Sequence, residues 1–269
     1  MKIAIIGAGN IGGAVARGWS KRNKSAKKGG ELGKLELTVS GVHLEKLERI
    51  KEDCPDVSIT TDNRDAVRDA EVVVIAVKPW QVKGVISEIR DLMTADKILV
   101  SFAAGVTIAE LQQMLEGTAV TNIFYTIPNI AAEFGESMTF VSAADGVEQE
   151  VTDTVEALFE GVGSVFVCAE KLVAPGMLMA SCGIAYVMRF LRAQTEAGVE
   201  MGFYPKDALK IAIQTMKGAA ELLHSTGEHP EAAIDRVTTP AGYTIKGLNE
   251  MDHTGFNSAV IKVFKVGLN

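Results

Sequence analysis

The chain has 269 residues, 47% of them hydrophobic, and a formal net charge of −7. That much apolar material excludes disorder over the whole length and suffices for one large core or two smaller ones. The negative balance argues against the cationic footprint that nucleic acid or an anionic membrane demands, so the expected partner is a small molecule.

The first apolar run, Met1-Lys2-Ile3-Ala4-Ile5-Ile6, reads as a buried strand, and Gly7-Ala8-Gly9-Asn10-Ile11-Gly12 follows it before an apolar-periodic helix over 11–22. Strand, glycines, helix is the entry to a dinucleotide-binding fold. Gly7 makes the tight turn, Gly9 lets the backbone approach a pyrophosphate, and Gly12 lets the helix pack closely on the strand. The helix N-terminus adds free N–H groups and partial positive charge. Gly7, Gly9, Asn10, Ile11 and Gly12 are therefore candidate cofactor contacts. A core strand starting at residue 2 leaves no room for a leader peptide, so a cytoplasmic protein is expected.

The lysine- and glycine-rich stretch 21–30 reads as a solvated loop before a strand at 35–40. Helices at 44–52 and 64–70 flank a short strand at 57–60. The run Val72-Val73-Val74-Ile75-Ala76-Val77 has no polar face, as a strand covered on both sides requires. Strands at 98–102 and 119–125 follow, separated by helical segments, and further strands at 138–142 and 165–167 surround a helix at 147–160. The first half is thus α/β, a Rossmann-type doubly wound parallel sheet. From residue 171 the pattern is helical throughout, which divides the chain into a dinucleotide domain, 1–169, and an all-helical domain, 170–269. The apolar stretch 172–188 is broken by Pro175, Gly176, Ser181 and Gly183 and falls short of the ~20 residues a bilayer needs. It reads instead as a helix buried in a domain or dimer interface, and a homodimer or larger homo-oligomer is expected. Cys54, Cys168 and Cys182 show no paired spacing, and the histidines, His224 and His229 included, no one-face pair, so neither disulfides nor a metal site is expected.

Ligands of open α/β sheets bind beyond the carboxyl ends of the strands. Three central strands end distinctively there: one in Ala76-Val77-Lys78-Pro79-Trp80, one in Ala103-Ala104-Gly105, one in Pro128-Asn129. The second strand ends in Ser40-Gly41-Val42-His43, without the carboxylate that would bind both ribose hydroxyls of NAD and repel a 2′-phosphate. NADPH is expected, with Ser40 and His43 as candidate donors and NADH as the alternative. In the helical half, Val237-Thr238-Thr239-Pro240-Ala241-Gly242-Tyr243-Thr244 gathers hydroxyls and glycine between two helices. Thr239 as cap with Pro240 in the first position would leave N–H groups to hold a carboxylate.

The glycine motif, Ala76-Val77-Lys78-Pro79, Ser101 to Val106, Pro128-Asn129 and Val237 to Thr244 occur in the order found in pyrroline-5-carboxylate reductases, and the chain resembles that family over nearly its whole length. Val-Thr-Thr-Pro-Ala-Gly-Tyr-Thr is similar to the family's Val-Thr-Ser-Pro-Gly-Gly-x-Thr. The resemblance implies reduction of L-1-pyrroline-5-carboxylate to L-proline, the last step of proline biosynthesis, by hydride transfer from NADPH to the cyclic imine. It implies substrate contacts from Asn129, Thr239, Gly242, Tyr243 and Thr244, with the Thr244 hydroxyl near the imine nitrogen as the catalytic candidate. It implies cofactor contacts from the glycine motif, Ser40, Ala76, Val77, Lys78, Pro79, Ala103 and Gly105. Departures fall at Tyr125 for an arginine, at Ile130-Ala131, at Met177 and at Cys182-Gly183-Ile184-Ala185-Tyr186. Two other readings stand beside it: a related imine or β-hydroxyacid reductase using Lys171, and a non-catalytic NADP-binding regulator.

Overall fold

Alternation along the strands builds a sheet covered on both faces. The computed structural model describes residues 1–25 and 32–268. Its strands are β1 (Lys2–Ile6), β2 (Glu36–Ser40), β3 (Ser58–Thr60), β4 (Val72–Ile75), β5 (Ile98–Ser101), β6 (Asn122–Ile127), β7 (Ser137–Ala143) and β8 (Gly163–Val167). They form one sheet in the order β3-β2-β1-β4-β5-β6-β7-β8. All neighbours are parallel except β6 and β7. The helices between them are α1 (Asn10–Ser25), α2 (Leu44–Asp53), α3 (Asn63–Val67), α4 (Val82–Ile89), α5 (Ile108–Met114) and α6 (Gln149–Glu160).

Successive strand residues point to opposite faces. Ile3 and Ile5, Val72 and Val74, and Val100 join one core, roofed by Val15 and Trp19 of α1, Leu47 and Ile50 of α2, and Leu158 and Phe159 of α6. Ala4 and Ile6, Val73 and Ile75, and Leu99 join the other, roofed by Val67 of α3, Ile86 and Ile89 of α4, and Leu111 of α5. Each fully buried side chain of this size contributes roughly 1.5–3 kcal/mol. Trp19 ties two helices together: its indole N–H donates to the Leu158 carbonyl at 2.8 Å, and its ring lies 5.5 Å from that of Phe159. The doubly wound α/β expectation is met, with one antiparallel neighbour pair added.

Chain order fixes where a ligand fits. The chain steps outward from β1 to β2 and β3, then returns with β4 on the other side of β1. The carboxyl ends of β1 and β4 therefore flank the point where the winding reverses, and a crevice opens there.

Two local expectations need correction. Helix α1 continues through Ser25, so residues 21–25 are helix rather than loop; the rest of the expected loop, 26–30, lies outside the described residues. Asn23 gives the reason for the extension, since its side chain exchanges hydrogen bonds with both backbone groups of Leu35 and pins the last turn to the start of β2. The apolar stretch after residue 170 is also not broken. A 3-10 turn at Glu170–Leu172, α7 (Val173–Gly176), a π-helical segment at Met177–Cys182 and α8 (Gly183–Glu200) run on continuously. The 31 residues of Glu170–Glu200 are, by length and composition alone, long and apolar enough to cross a membrane, with 22% of the most apolar window buried. Pro175 does not interrupt them because it sits in the first turn of α7, where its missing N–H has no partner to lose. Gly176 packs face-on against the Phe140 ring, where a methyl group would collide.

The chain divides into two units, Met1–Ser181 and the residues from Cys182 onward. The second unit is helical: α8, α9 (Pro205–Thr226), α10 (Pro230–Arg236), α11 (Tyr243–His253) and α12 (Phe256–Lys265). Small residues allow α8 and α9 to approach closely, with Gly198 against Ala208. Edge-to-face pairs Tyr186–Phe264 and Phe190–Phe256 join α8 to α12. Among the described residues of this unit, only Gly183, Gly198, Ala208 and Ala212 are fully buried. Val187, Met188, Phe190, Ile211, Ile213 and Ile261 are each exposed.

Candidate functional site

The glycine motif owes its shape to contacts at the reversal point. Gly7 has φ +120°, a conformation open to glycine, and a Cβ there would lie 2.5 Å from the Ala76 carbonyl oxygen. A Cβ on Gly12 would strike the Gly7 carbonyl and come within 3.0 Å of the Ala76 methyl. Gly9 is different: it is exposed, and a Cβ there would meet nothing within 4 Å among the described residues. Two glycines close the joint between β1, β4 and α1, and the third keeps space open before the first turn of α1. Helix α1 has 16 residues and starts at Asn10, so the N–H groups of its first turn face that space without intrahelical partners. This is a fit for a pyrophosphate.

The other strand ends lie along the same rim. Gly7 N–H donates to the Ser40 carbonyl at 2.8 Å, and Phe102 N–H to the Ile75 carbonyl at 2.9 Å. Lys78 is exposed and precedes a 3-10 turn at Pro79–Gln81, with its N–H held by the Gln81 side chain at 3.2 Å. Trp80 follows, 79% exposed. Ser40, expected as a rim donor, is wholly buried, and its hydroxyl donates to Asn63 Oδ1 at 2.8 Å. Asn63 in turn donates to Glu88 Oε2 at 2.8 Å. Asn63 escaped the sequence reading because it opens α3, 23 residues away, with no motif around it. Val42 and His43 after β2 are exposed, and no carboxylate stands at that turn.

At the end of β5, Ala103, Ala104 and Gly105 form a loop of small residues, Gly105 at φ +80°. Tyr125 on β6 is 4% exposed, and its phenol oxygen accepts the Gly105 N–H at 3.0 Å. Burial pushes the phenol above its ordinary value, against the Gly105 bond and with the help of the Glu170 charge, so it stays protonated at neutral pH. Asn129 is 3% exposed and bonded through three groups: Oδ1 accepts from Ala131 N–H at 2.9 Å, Nδ2 donates to the Ala180 carbonyl at 3.3 Å, and its own N–H donates to Ser137 Oγ at 3.1 Å. It braces the π-helical segment against the end of β6.

In the second unit, the threonine cluster folds differently from the capped helix expected. Gly242 N–H donates to the Thr239 carbonyl at 3.0 Å, closing a four-residue turn in which Pro240 and Ala241 are central. Ala241 has φ +61° and is the one non-glycine with positive φ among the described residues. Pro240 is therefore the second residue of a turn rather than the first of a helix, and α11 starts at Tyr243 with Gly242 as a cap that has no side-chain bond. A Cβ on Gly242 would lie 2.5 Å from Thr239 Oγ1, so a side chain there would have to turn the exposed Thr239 hydroxyl aside. Thr238 donates to the Ile234 carbonyl at 2.8 Å and belongs to the end of α10. Thr239, Tyr243 and Thr244 are exposed, Tyr243 at 94%. The first turn of the 11-residue α11 thus carries free N–H groups beside two hydroxyls, a set suited to a carboxylate. Because the third turn position favours glycine, Ala241→Gly should raise stability by about 1 kcal/mol, read as a higher urea midpoint; an unchanged or lower midpoint would contradict the strain.

A glycine joint at the reversal point of a doubly wound sheet, followed along the chain by a helical unit, defines a dinucleotide-dependent oxidoreductase. A family model described as "NADP oxidoreductase coenzyme F420-dependent" matches residues 2–105, and one described as "Pyrroline-5-carboxylate reductase dimerisation" matches residues 170–268. Pyrroline-5-carboxylate reductase 2 of Dictyostelium discoideum is 36% identical, over 97% of this chain and 88% of its own length. The solved pyrroline-5-carboxylate reductase of Coxiella burnetii superposes with a TM-score of 0.85 at 27% identity, covering 99% of this chain and 96% of that one. The Plasmodium falciparum enzyme, solved with NADP bound, also gives 0.85, at 24% identity over 99% of this chain and 95% of that one. The chain belongs to the pyrroline-5-carboxylate reductase family.

Proposed function

We propose that the chain reduces L-1-pyrroline-5-carboxylate to L-proline with NADPH. The observation that carries the reading is the uncapped first turn of α11 with Thr239 before it and Thr244 inside it, in a chain 36% identical to a reductase of that name. The dinucleotide, when bound, supplies the hydride that reduces the imine carbon. Gly7, Gly9, Asn10, Ile11 and Gly12 hold its pyrophosphate. Ala76, Val77, Lys78, Pro79 and Gly105 would line the rest of its path along the rim, with Ala103, 1% exposed, lying beneath them. Ser40 acts from beneath by orienting Asn63, and the absence of a carboxylate after β2 favours NADPH over NADH.

Thr239, Gly242, Tyr243 and Thr244 bind the substrate carboxylate at the N-terminus of α11, which favours negative charge. That capture orients the imine, and orientation is the larger share of the protein's task. The Thr244 hydroxyl is too weak an acid to surrender a proton outright, so it serves as hydrogen-bond partner of the imine nitrogen while the proton arrives with the iminium. Asn129 braces the end of β6 within the first unit. Lys171, exposed on the 3-10 turn, has no part in this scheme.

The protein works in the cytoplasm as a homodimer or a ring of dimers. Supporting this are the match to a dimerisation model and the exposure of Val187, Met188 and Phe190 on the apolar α8. The decisive assay follows NADPH and NADH oxidation with and without pyrroline-5-carboxylate. Substrate-dependent oxidation, faster with NADPH, is expected; none with either cofactor would overturn the reading in favour of a non-catalytic binder.

A further inference from the structure

The β5–α5 loop is built of residues that cannot hold their own shape. Ala103, Ala104 and Gly105 offer no side-chain hydrogen bonds, and Gly105 sits at φ +80°. The backbone is held instead by groups from elsewhere. Tyr125 accepts from Gly105 N–H at 3.0 Å, and Glu170 Oε1 accepts from Ile108 N–H at 2.7 Å. Ser101 Oγ takes Ala103 N–H, the Ala103 carbonyl takes Val106 N–H, and Glu110 takes Thr107 N–H. Among the described residues, Ala104 N–H is the one amide in 103–108 left without an acceptor. The two long-range anchors come from 20 residues downstream on β6 and from 62 residues beyond Ile108.

We propose that Tyr125 and Glu170 are positioning residues for cofactor binding: together they fix the loop 103–108 in the shape that receives the dinucleotide and leave the Ala104 N–H available to it. The inference rests on the dinucleotide reading given above. Tyr125 does this from a buried site, where phenylalanine fills the same space without the oxygen. Removing that oxygen leaves Gly105 N–H without a partner and releases the loop without opening a cavity. Glu170 does it through an acceptor that glutamine also has.

The test measures NADPH dissociation constants by cofactor fluorescence, beside melting temperatures and KM values for both substrates. Tyr125→Phe and Glu170→Ala should each weaken NADPH binding about tenfold and raise the KM for NADPH without raising that for the imine. Glu170→Gln should recover most of the loss. Lys97→Met is the control for stability alone. The Lys97 ammonium is buried at the opposite end of β5, donating to the carbonyls of Val67, Arg68 and Ala70. Its loss should lower the melting temperature and leave NADPH affinity unchanged. A Tyr125→Phe protein that binds NADPH like the wild type overturns the inference, as does a Lys97→Met protein that loses affinity equally. A wild-type chain that binds no NADPH overturns the dinucleotide reading itself.

Discussion

Gly9→Ala should leave the melting temperature of the free protein unchanged and weaken NADPH binding by tenfold or more. The added methyl meets nothing within 4 Å among the described residues, and Gly9 has no positive φ to strain. Whatever affinity is lost therefore comes from a ligand that needs the space. Gly12→Ala supplies the contrast, because its methyl collides with the Gly7 carbonyl and presses on Ala76. That variant should lose both affinity and stability, the latter by roughly 1–3 kcal/mol as overpacking usually costs. Fluorescence titration and thermal melts on the same preparations separate the two. If Gly9→Ala binds NADPH normally, the pyrophosphate does not lie over the first turn of α1.

Thr244→Ala should lower kcat by about 10²-fold, the lower end of what one preorganised hydrogen-bonding group at the reacting centre contributes. Thr244 lies in the first turn of α11, exposed, and its hydroxyl has no hydrogen bond to the described residues. Nothing in the fold consumes that hydroxyl, so its removal should leave stability and NADPH affinity intact. Thr244→Ser, which keeps the oxygen, should restore most of the turnover. Because the backbone N–H groups of α11 survive the substitution, the KM for pyrroline-5-carboxylate should rise only modestly. Unchanged kcat in Thr244→Ala would remove the residue from the chemistry.

The sheet was legible because its signals are local. A β-branched run such as Val72 to Ile75 admits one environment, and the strand–glycine–helix order of the first 20 residues admits few topologies. What escaped the sequence were partners far apart along the chain. Ser40 looks like a free hydroxyl until Asn63 Oδ1, 23 residues on, accepts its hydrogen bond. The Asn129 amide donates to the Ala180 carbonyl, 51 residues on, a bond that no local pattern announces. The turn at Thr239 to Gly242 is ambiguous in sequence for a different reason. Proline favours both the first position of a helix and the second position of a turn, so the sequence supports either. Positive φ at Ala241 decides it, at a position where composition would have asked for glycine. The length of α1 was hidden similarly, since lysine, serine and asparagine are as common in solvated helix ends as in loops.

The chain's two tryptophans lie at opposite extremes of solvent access, Trp19 with 0% exposure against Phe159 and Trp80 at 79% on the rim after β4. Their light should divide accordingly. Trp19, sealed and bonded to the Leu158 carbonyl, should emit at short wavelength, resist iodide, and change only when α1 parts from α6. Trp80 should emit at long wavelength, yield to iodide, and respond to whatever arrives beside Lys78 and Pro79. One intrinsic spectrum therefore carries two clocks, one for unfolding and one for events at the carboxyl ends of the strands, and Trp80→Phe should silence only the second.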